Sequence, residues 1–508
     1  MKTHYIKLSL IALIGLAFAC STDDNNILAI PNVPDTGTGI GLPTPNYTSG
    51  STSFANYVAI GNSLTAGIAD AALYIRSQEA SYPNILATQF GLAGGGSFGQ
   101  PLMSDDLGGL LLGGMQITPN RFIFDPVAQL PFTASGTPTT EVTNIVTGPH
   151  NNMGVPGAKS YHLLANGYGN VAGVQAGLAN PYFARMASNP NASVLEDVLA
   201  QAPSFFTLWI GSNDVLQYAS SGGAGEDHNV TGNLDPATYG GPDITNNNVF
   251  AQVYGGILQA LAQTGADGLV ANIPDITKAP YFHVVPHNPI PLDAATAAAV
   301  NGAYAAYNGG LLAAEAGMLI SAEERAARTI SFEASATNAV VIEDEDLTDL
   351  SGLGLPPLRQ TTANDLMVLT SQFVIGTLAD PNNPLSVNGV GVALDDSQVL
   401  TPEEQGAIVD ATLAYNATIE MMAGQFDLAF FDAYAMLEEV SSTGLNIGGN
   451  AIITADFVTG GAFSLDGLHT SPRGNAAIAN AMIDVINTKY GANLPKVDAK
   501  EYTGLYVN

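Results

Sequence analysis

At 508 residues, with 46% hydrophobic and 12% charged side chains, the chain can hold one large decorated domain or two, and it is too apolar to be disordered. Fourteen basic residues against 45 acidic ones leave a net charge of −31, which argues against a nucleic-acid partner and against attraction to anionic head groups. Any membrane association therefore needs an anchor other than surface charge.

The N-terminus offers one. Lys2 and Lys7 precede an almost wholly apolar run, Leu8 to Ala19, which is too short to span a bilayer comfortably and fits a cleaved signal peptide over 1–19. Cys20, the only cysteine, follows Leu16-Ala17-Phe18-Ala19. This resembles a bacterial lipobox, with Ala17 where Leu is more usual, and implies lipidation of Cys20; the alternative is an ordinary secretory signal with a spare cysteine. The next residues, Ser21-Thr22-Asp23-Asp24-Asn25-Asn26, resemble the acidic export tag of Bacteroidetes surface lipoproteins. The resemblance implies an outer-membrane lipoprotein exposed at the cell surface. From Cys20 to Ser53 the chain is rich in Pro, Gly, Thr and Asn without apolar periodicity, and reads as a flexible tether.

A folded body is expected over 54–495, with 496–508 as a tail. Tyr57-Val58-Ala59-Ile60 reads as a buried strand stopped by Gly61, so Ser63 falls at a strand-to-helix corner, the start of a helical region running to about Phe90. Gly91 to Gly114 is glycine-heavy and reads as an ordered loop, with Leu110-Leu111-Leu112 as a possible groove wall; 115–150 carries no clear pattern. A glycine turn follows at Asn152 to Gly157. Ser204 to Ile210 is the clearest strand and ends in Gly211-Ser212-Asn213-Asp214. A helix over 249–263, a strand over 268–273 and a strand-end segment Asn272-Ile273-Pro274-Asp275 come next. This alternation predicts a parallel α/β sheet covered by helices. The pattern breaks over 291–400, read as a large helical insertion or cap near the site, with an Ala-rich helix over 294–328. The sheet resumes at Leu428 to Asp432, and a last helix spans 473–490.

Near the C-terminus, Asp466-Gly467-Leu468-His469 sits just before Ser471-Pro472, a cap and first-turn pair for that last helix. A serine hydroxyl needs a base to become a nucleophile, and a carboxylate on the second ring nitrogen fixes the imidazole tautomer. Ester chemistry also needs oxyanion donors, which the Gly157 N–H and the Asn213 side-chain amide can supply. Taken singly, each feature has a plainer reading: Ser63 a helix cap, Asp466 and His469 a loop hydrogen bond, Gly157 and Asn213 turn-formers.

Together, Gly61-Asn62-Ser63-Leu64, Asn152 to Gly157, Gly211-Ser212-Asn213-Asp214 and Asp466 to His469 resemble, in order, the four sequence blocks of the SGNH/GDSL hydrolase family. The resemblance covers about 56–490 apart from 291–400. It implies a flavodoxin-like three-layer α/β/α sandwich and a serine esterase or lipase acting on acyl esters. Ser63 would be the nucleophile, His469 the base and Asp466 its orienter, with Ser63, Gly157 and Asn213 donating to the oxyanion and no cofactor needed. Asn62 departs from the family's Asp. Two other readings stay open: a surface ligand-binding protein on a retired hydrolase scaffold, and an esterase acting on acetylated or acylated carbohydrate. The acidic run Glu343-Asp344-Glu345-Asp346 with Asp349 lacks the central glycine of a Ca²⁺ loop and reads as solvated surface, so no metal site is expected.

Overall fold

The computed structural model describes residues 46–127 and 130–506. The signal-like segment, Cys20 and most of the tether therefore lie outside the described residues. From Tyr47 onward the chain forms one compact unit.

At its centre are five parallel strands: β1 (Tyr57–Gly61), β2 (Asn152–Gly154), β3 (Phe205–Trp209), β4 (Asp267–Ala271) and β5 (Ala429–Phe431). Their order across the sheet is β2-β1-β3-β4-β5. β1, β3 and β5, and β4 from Leu269 on, read as mainly apolar runs because both faces are covered, and alternate residues enter different cores; β2, Asn152-Met153-Gly154, is a strand where the sequence reads as a glycine turn. Val58, Ile60, Phe206, Leu208 and Val270 fill one face. Tyr57, Ala59, Phe205, Trp209, Leu269 and Ala271 fill the other. Complete burial of a Val, Leu, Ile or Phe side chain contributes about 1.5–3 kcal/mol, so these faces dominate the fold's stability.

The helices that matter for the site are α1 (Ser63–Ala66), α2 (Tyr82–Gly91), α3 (Asn213–Ser220), α4 (Asn247–Ala262), α5 (Ala294–Ala316), α6 (Ala322–Arg328), α7 (Pro402–Gln425), α8 (Ala433–Ser442) and α9 (Pro472–Tyr490). α4 and α7 pack into the first core, through residues such as Tyr254, Ile257, Ile408 and Tyr415. α2 and α9 pack into the second, through Tyr82, Leu86, Met482 and Ile483. α9 starts as its sequence dictates: Pro472 occupies the first turn and Ser471 Oγ accepts from the Gly474 N–H at 3.0 Å.

Several boundaries differ from the sequence reading. The end of the tether is part of the body: the Ser51 N–H donates to the Tyr490 carbonyl at 2.8 Å, and Thr48 bonds Asn493. The expected tail is also built in, since Ala499 is buried and Tyr506 packs edge-on against Tyr74. Leu110-Leu111-Leu112 is a short strand whose Leu110 enters a satellite core with Ile68, Leu73 and Met103. The unassigned stretch contains a hairpin, Phe122–Asp125 against Leu130–Thr133.

The insertion is helical only in its first third. The Ala-rich run breaks between α5 and α6, where Met318 turns left-handed (φ +59°) and Ser321 caps the second helix. The remainder is short antiparallel strand pairs and 3-10 turns around a core that includes Ile330, Phe332, Val341 and Leu394. The acidic run is not uniformly solvated either. Asp344 is buried because Arg359 bridges it to Asp365.

Candidate active site

The first site residue is positioned by a tight corner. β1 stops at Gly61, and α1 begins at once, with Asn62 Oδ1 accepting from the Leu64 N–H at 3.0 Å. A carboxylate at position 62 would accept the same N–H, so the amide caps α1 as well as an Asp would. The corner leaves no room for side chains at two glycines. A Cβ on Gly61 would lie 2.2 Å from Thr65 Oγ1, and one on Gly154 would lie 2.2 Å from the Ala66 nitrogen. Asn152 secures the corner from β2, donating from Nδ2 to the Thr65 carbonyl at 2.9 Å.

His469 reaches that corner from the loop before α9, across 406 residues of sequence. Ser63 Oγ lies 2.9 Å from Nε2, and Nδ1 lies 2.8 Å from Asp466 Oδ2. Burial works to raise the Asp466 carboxyl, but the facing His469 charge and the ring and backbone N–H donors outweigh it and hold it at about 2. The ionised carboxylate can only accept, so Nδ1 carries the proton and Nε2 turns a lone pair to the serine hydroxyl.

Asp466 is itself clamped. Oδ1 accepts from the N–H groups of Leu468 and His469, both at 2.8 Å, and from Ser464 Oγ at 3.1 Å. Oδ2 also accepts from the Ala71 N–H at 2.7 Å. That last bond depends on a left-handed turn at Asp70 (φ +53°) and Ala71 (φ +64°). The Asp70 carboxylate then holds the His loop, accepting from the Leu465 N–H at 3.0 Å and from Tyr74 Oη at 2.6 Å, with Arg121 3.8 Å away. Gly467, at φ +70°, lets the loop turn beneath Tyr281, whose N–H donates to the Gly467 carbonyl at 3.1 Å.

The two donor candidates stand on either side of Ser63. In register, Gly61 of β1 pairs with Gly154 of β2 and Trp209 of β3, so the loops after all three strands emerge at the same sheet edge. Gly157 lies just past β2 in an exposed left-handed turn (φ +77°), and Asn213 opens α3 just past β3. Asn213 Nδ2 donates to the Ala158 carbonyl at 2.9 Å, which leaves its second amide hydrogen for a ligand and sets the amide beside the Gly157 turn. Asp214 locks the two loops together, accepting from the Ser160 N–H at 2.8 Å and the Ser160 hydroxyl at 2.7 Å.

Beside Ser63 and His469 opens a pocket with about 870 Å³ of space, part of it continuous with solvent. Its walls are apolar: Leu64, Trp209, Ile276, Met436, Leu437 and Phe463 among them. They come from α1, β3, the segment after β4, α8 and the stretch from Ile453 to Phe463. Among the described residues, none of 291–400 lines this pocket, and Leu110-Leu111-Leu112 stays in its own satellite core. The expected cap and groove wall are therefore replaced by α8 and its following hairpin. Trp209 is held in the wall by its Nε1–H, which donates to the Asn272 carbonyl at 3.0 Å.

The sequence reading brought Ser63, His469 and Asp466 together and missed Asp70, Tyr74, Arg121 and Ser464 behind them. Only Asn152 carried a signal, as the first residue of the glycine turn. No known protein family, curated protein or solved structure matches the chain. The reading of this site therefore rests on its own chemistry.

Proposed function

We propose that the chain is a serine ester hydrolase of the SGNH type, with a flavodoxin-like sandwich whose strand order 2-1-3-4-5 supports that assignment. The observation that carries the activity is the continuous relay from Ser63 Oγ through His469 to a buried, ionised Asp466. Ser63 attacks the acyl carbonyl while His469 Nε2 takes its proton. The tetrahedral oxyanion is met by the Ser63 and Gly157 N–H groups and the Asn213 amide. His469 then protonates the departing alcohol, and water releases the acyl group by the same steps in reverse. Asp466 stays ionised throughout and stabilises the imidazolium.

Asn213→Ala should lower kcat for a short aryl ester by about 10²–10³, the usual cost of one oxyanion donor, with little change in KM. A matching rise in KM at constant kcat would make Asn213 a ground-state binding residue instead.

The apolar pocket favours acyl chains over the acetyl groups of a carbohydrate esterase. Each methylene buried there is worth about 0.8 kcal/mol, so kcat/KM should climb about fourfold per carbon across a 4-nitrophenyl ester series until the pocket is full. A maximum at acetate would favour the carbohydrate reading. The complete Ser63–His469–Asp466 relay supports catalysis over a retired scaffold, which would instead bind ligand unchanged in Ser63→Ala and turn over no short aryl ester.

We place the enzyme at the outer membrane, exposed at the cell surface, through lipid on Cys20; no helix among the described residues is long and apolar enough to cross a membrane. In a bacterial host fed an alkynyl fatty acid, the wild type should be labelled and partition with membranes. Cys20→Ser should be unlabelled, and equal labelling of both would refute the anchor.

A further inference from the structure

Three carboxylates converge far along the chain from the nucleophile. Glu345 follows the insertion strand Val341–Glu343, Asp396 opens a short 3-10 turn at the insertion's end, and Glu404 sits in the first turn of α7. One oxygen from each lies within 4.8 Å of the other two. Oxygens bound to one Ca²⁺ at 2.3–2.6 Å are separated by no more than about 5 Å, so this spacing fits a shared hard cation.

Glu404 supplies the independent sign of a ligand. It is only 4% exposed, and its Oε2 is spent on the α7 capping box, accepting from the Thr401 N–H at 2.6 Å. Its Oε1 is buried without a hydrogen-bond partner. The backbone makes space for that oxygen: Gly223, at φ +87°, has no side chain, and a Cβ there would lie 1.7 Å from Oε1. The nearby guanidinium of Arg359 is committed to Asp344 and Asp365. A buried carboxylate oxygen without a donor, on a side chain beside two more carboxylates, is costly unless a cation or a shared proton joins them.

We propose that Glu345, Asp396 and Glu404 form a calcium site that fastens the insertion to the body. Glu345 and Asp396 belong to the insertion, whereas α7 packs on the central sheet beside α4. The exposed side of Glu345 leaves a path for the ion and room for water to complete the six to eight oxygen ligands calcium takes. A set of three carboxylates fits the weaker calcium class, with Kd of about 10⁻⁴–10⁻³ M, suited to an extracellular protein.

The test is calorimetric titration of CaCl₂ into the EDTA-stripped full chain, with thermal melts in 10 mM EGTA and in 10 mM CaCl₂ added without chelator, solution conditions chosen at about 10–100 times that Kd. One ion should bind per chain, and calcium should raise Tm by about 2 °C or more. Glu345→Gln and Glu404→Gln should each weaken binding at least about tenfold and abolish the Tm response. Glutamine still serves a capping box, so Glu404→Gln keeps α7 intact. Neither residue lines the pocket beside Ser63, so ester hydrolysis should persist in both variants. Absence of binding in the wild type, unchanged binding in either variant, or an equal Tm response to Mg²⁺ would overturn the proposal. A wild type indifferent to calcium would mark Glu404 and Asp396 as an acid–carboxylate pair sharing a proton.

Discussion

His469→Ala should lower kcat/KM for 4-nitrophenyl butyrate by on the order of 10⁶, the scale of losing the base from a serine triad. Without the imidazole, Ser63 loses the base that takes its proton, and the hydroxyl reverts to a poor nucleophile. The loop should survive the change. The His469 N–H still donates to Asp466 Oδ1, and the Ser464 N–H still donates to the His469 carbonyl, both at 2.8 Å. A well-folded variant that loses less than about tenfold would place the proton acceptor elsewhere.

Asp466→Asn should cost about 10⁴ in kcat, because an amide facing Nδ1 offers N–H groups and favours the wrong tautomer. The same substitution should change the stability profile. The Asp466 carboxyl sits at about 2 against an ordinary 3.8, so its stabilisation is present above pH 3.8 and is lost as pH falls through 2. The asparagine variant should therefore lose stability at neutral pH and show a shallower decline between those two values. Acid melts of the two proteins check this, and superimposable declines would show that Asp466 is not held low by its partners.

The candidate triad was legible in the sequence because each member lies in a short local pattern (an apolar strand cut by Gly61, a carboxylate three residues before His469, a Ser-Pro helix start behind them) and because these patterns fall in one order with the two donor turns, although each alone has a plainer reading. Four of the five central strands were legible for the same reason, since burial on both faces writes apolar runs; β2, Asn152-Met153-Gly154, read as part of a glycine turn because so short a strand of Asn and Gly writes no such run. What lay hidden depends on distant packing. Asp70 has no local mark, and its left-handed turn delivers the Ala71 N–H to a carboxylate 395 residues away. The pocket walls were hidden too, because Met436 and Leu437 look like ordinary helix residues until α8 is set against Phe463. The insertion misled for a third reason. Its alanine run promised one long helix, but the short strands after it are too brief to write a periodicity, and Asp344 is recognisable as buried only once Arg359 faces it.

The central claim is that Ser63 is an activated nucleophile, and one measurement bears on it most directly. The intact chain is treated with a fluorophosphonate at neutral pH, and the adduct is located by peptide mass spectrometry. A single phosphonyl group should appear on Ser63, with none in Ser63→Ala and strongly slowed labelling in His469→Ala. A wild type that stays unlabelled, or a Ser63→Ala variant labelled as fast as the wild type, would contradict it.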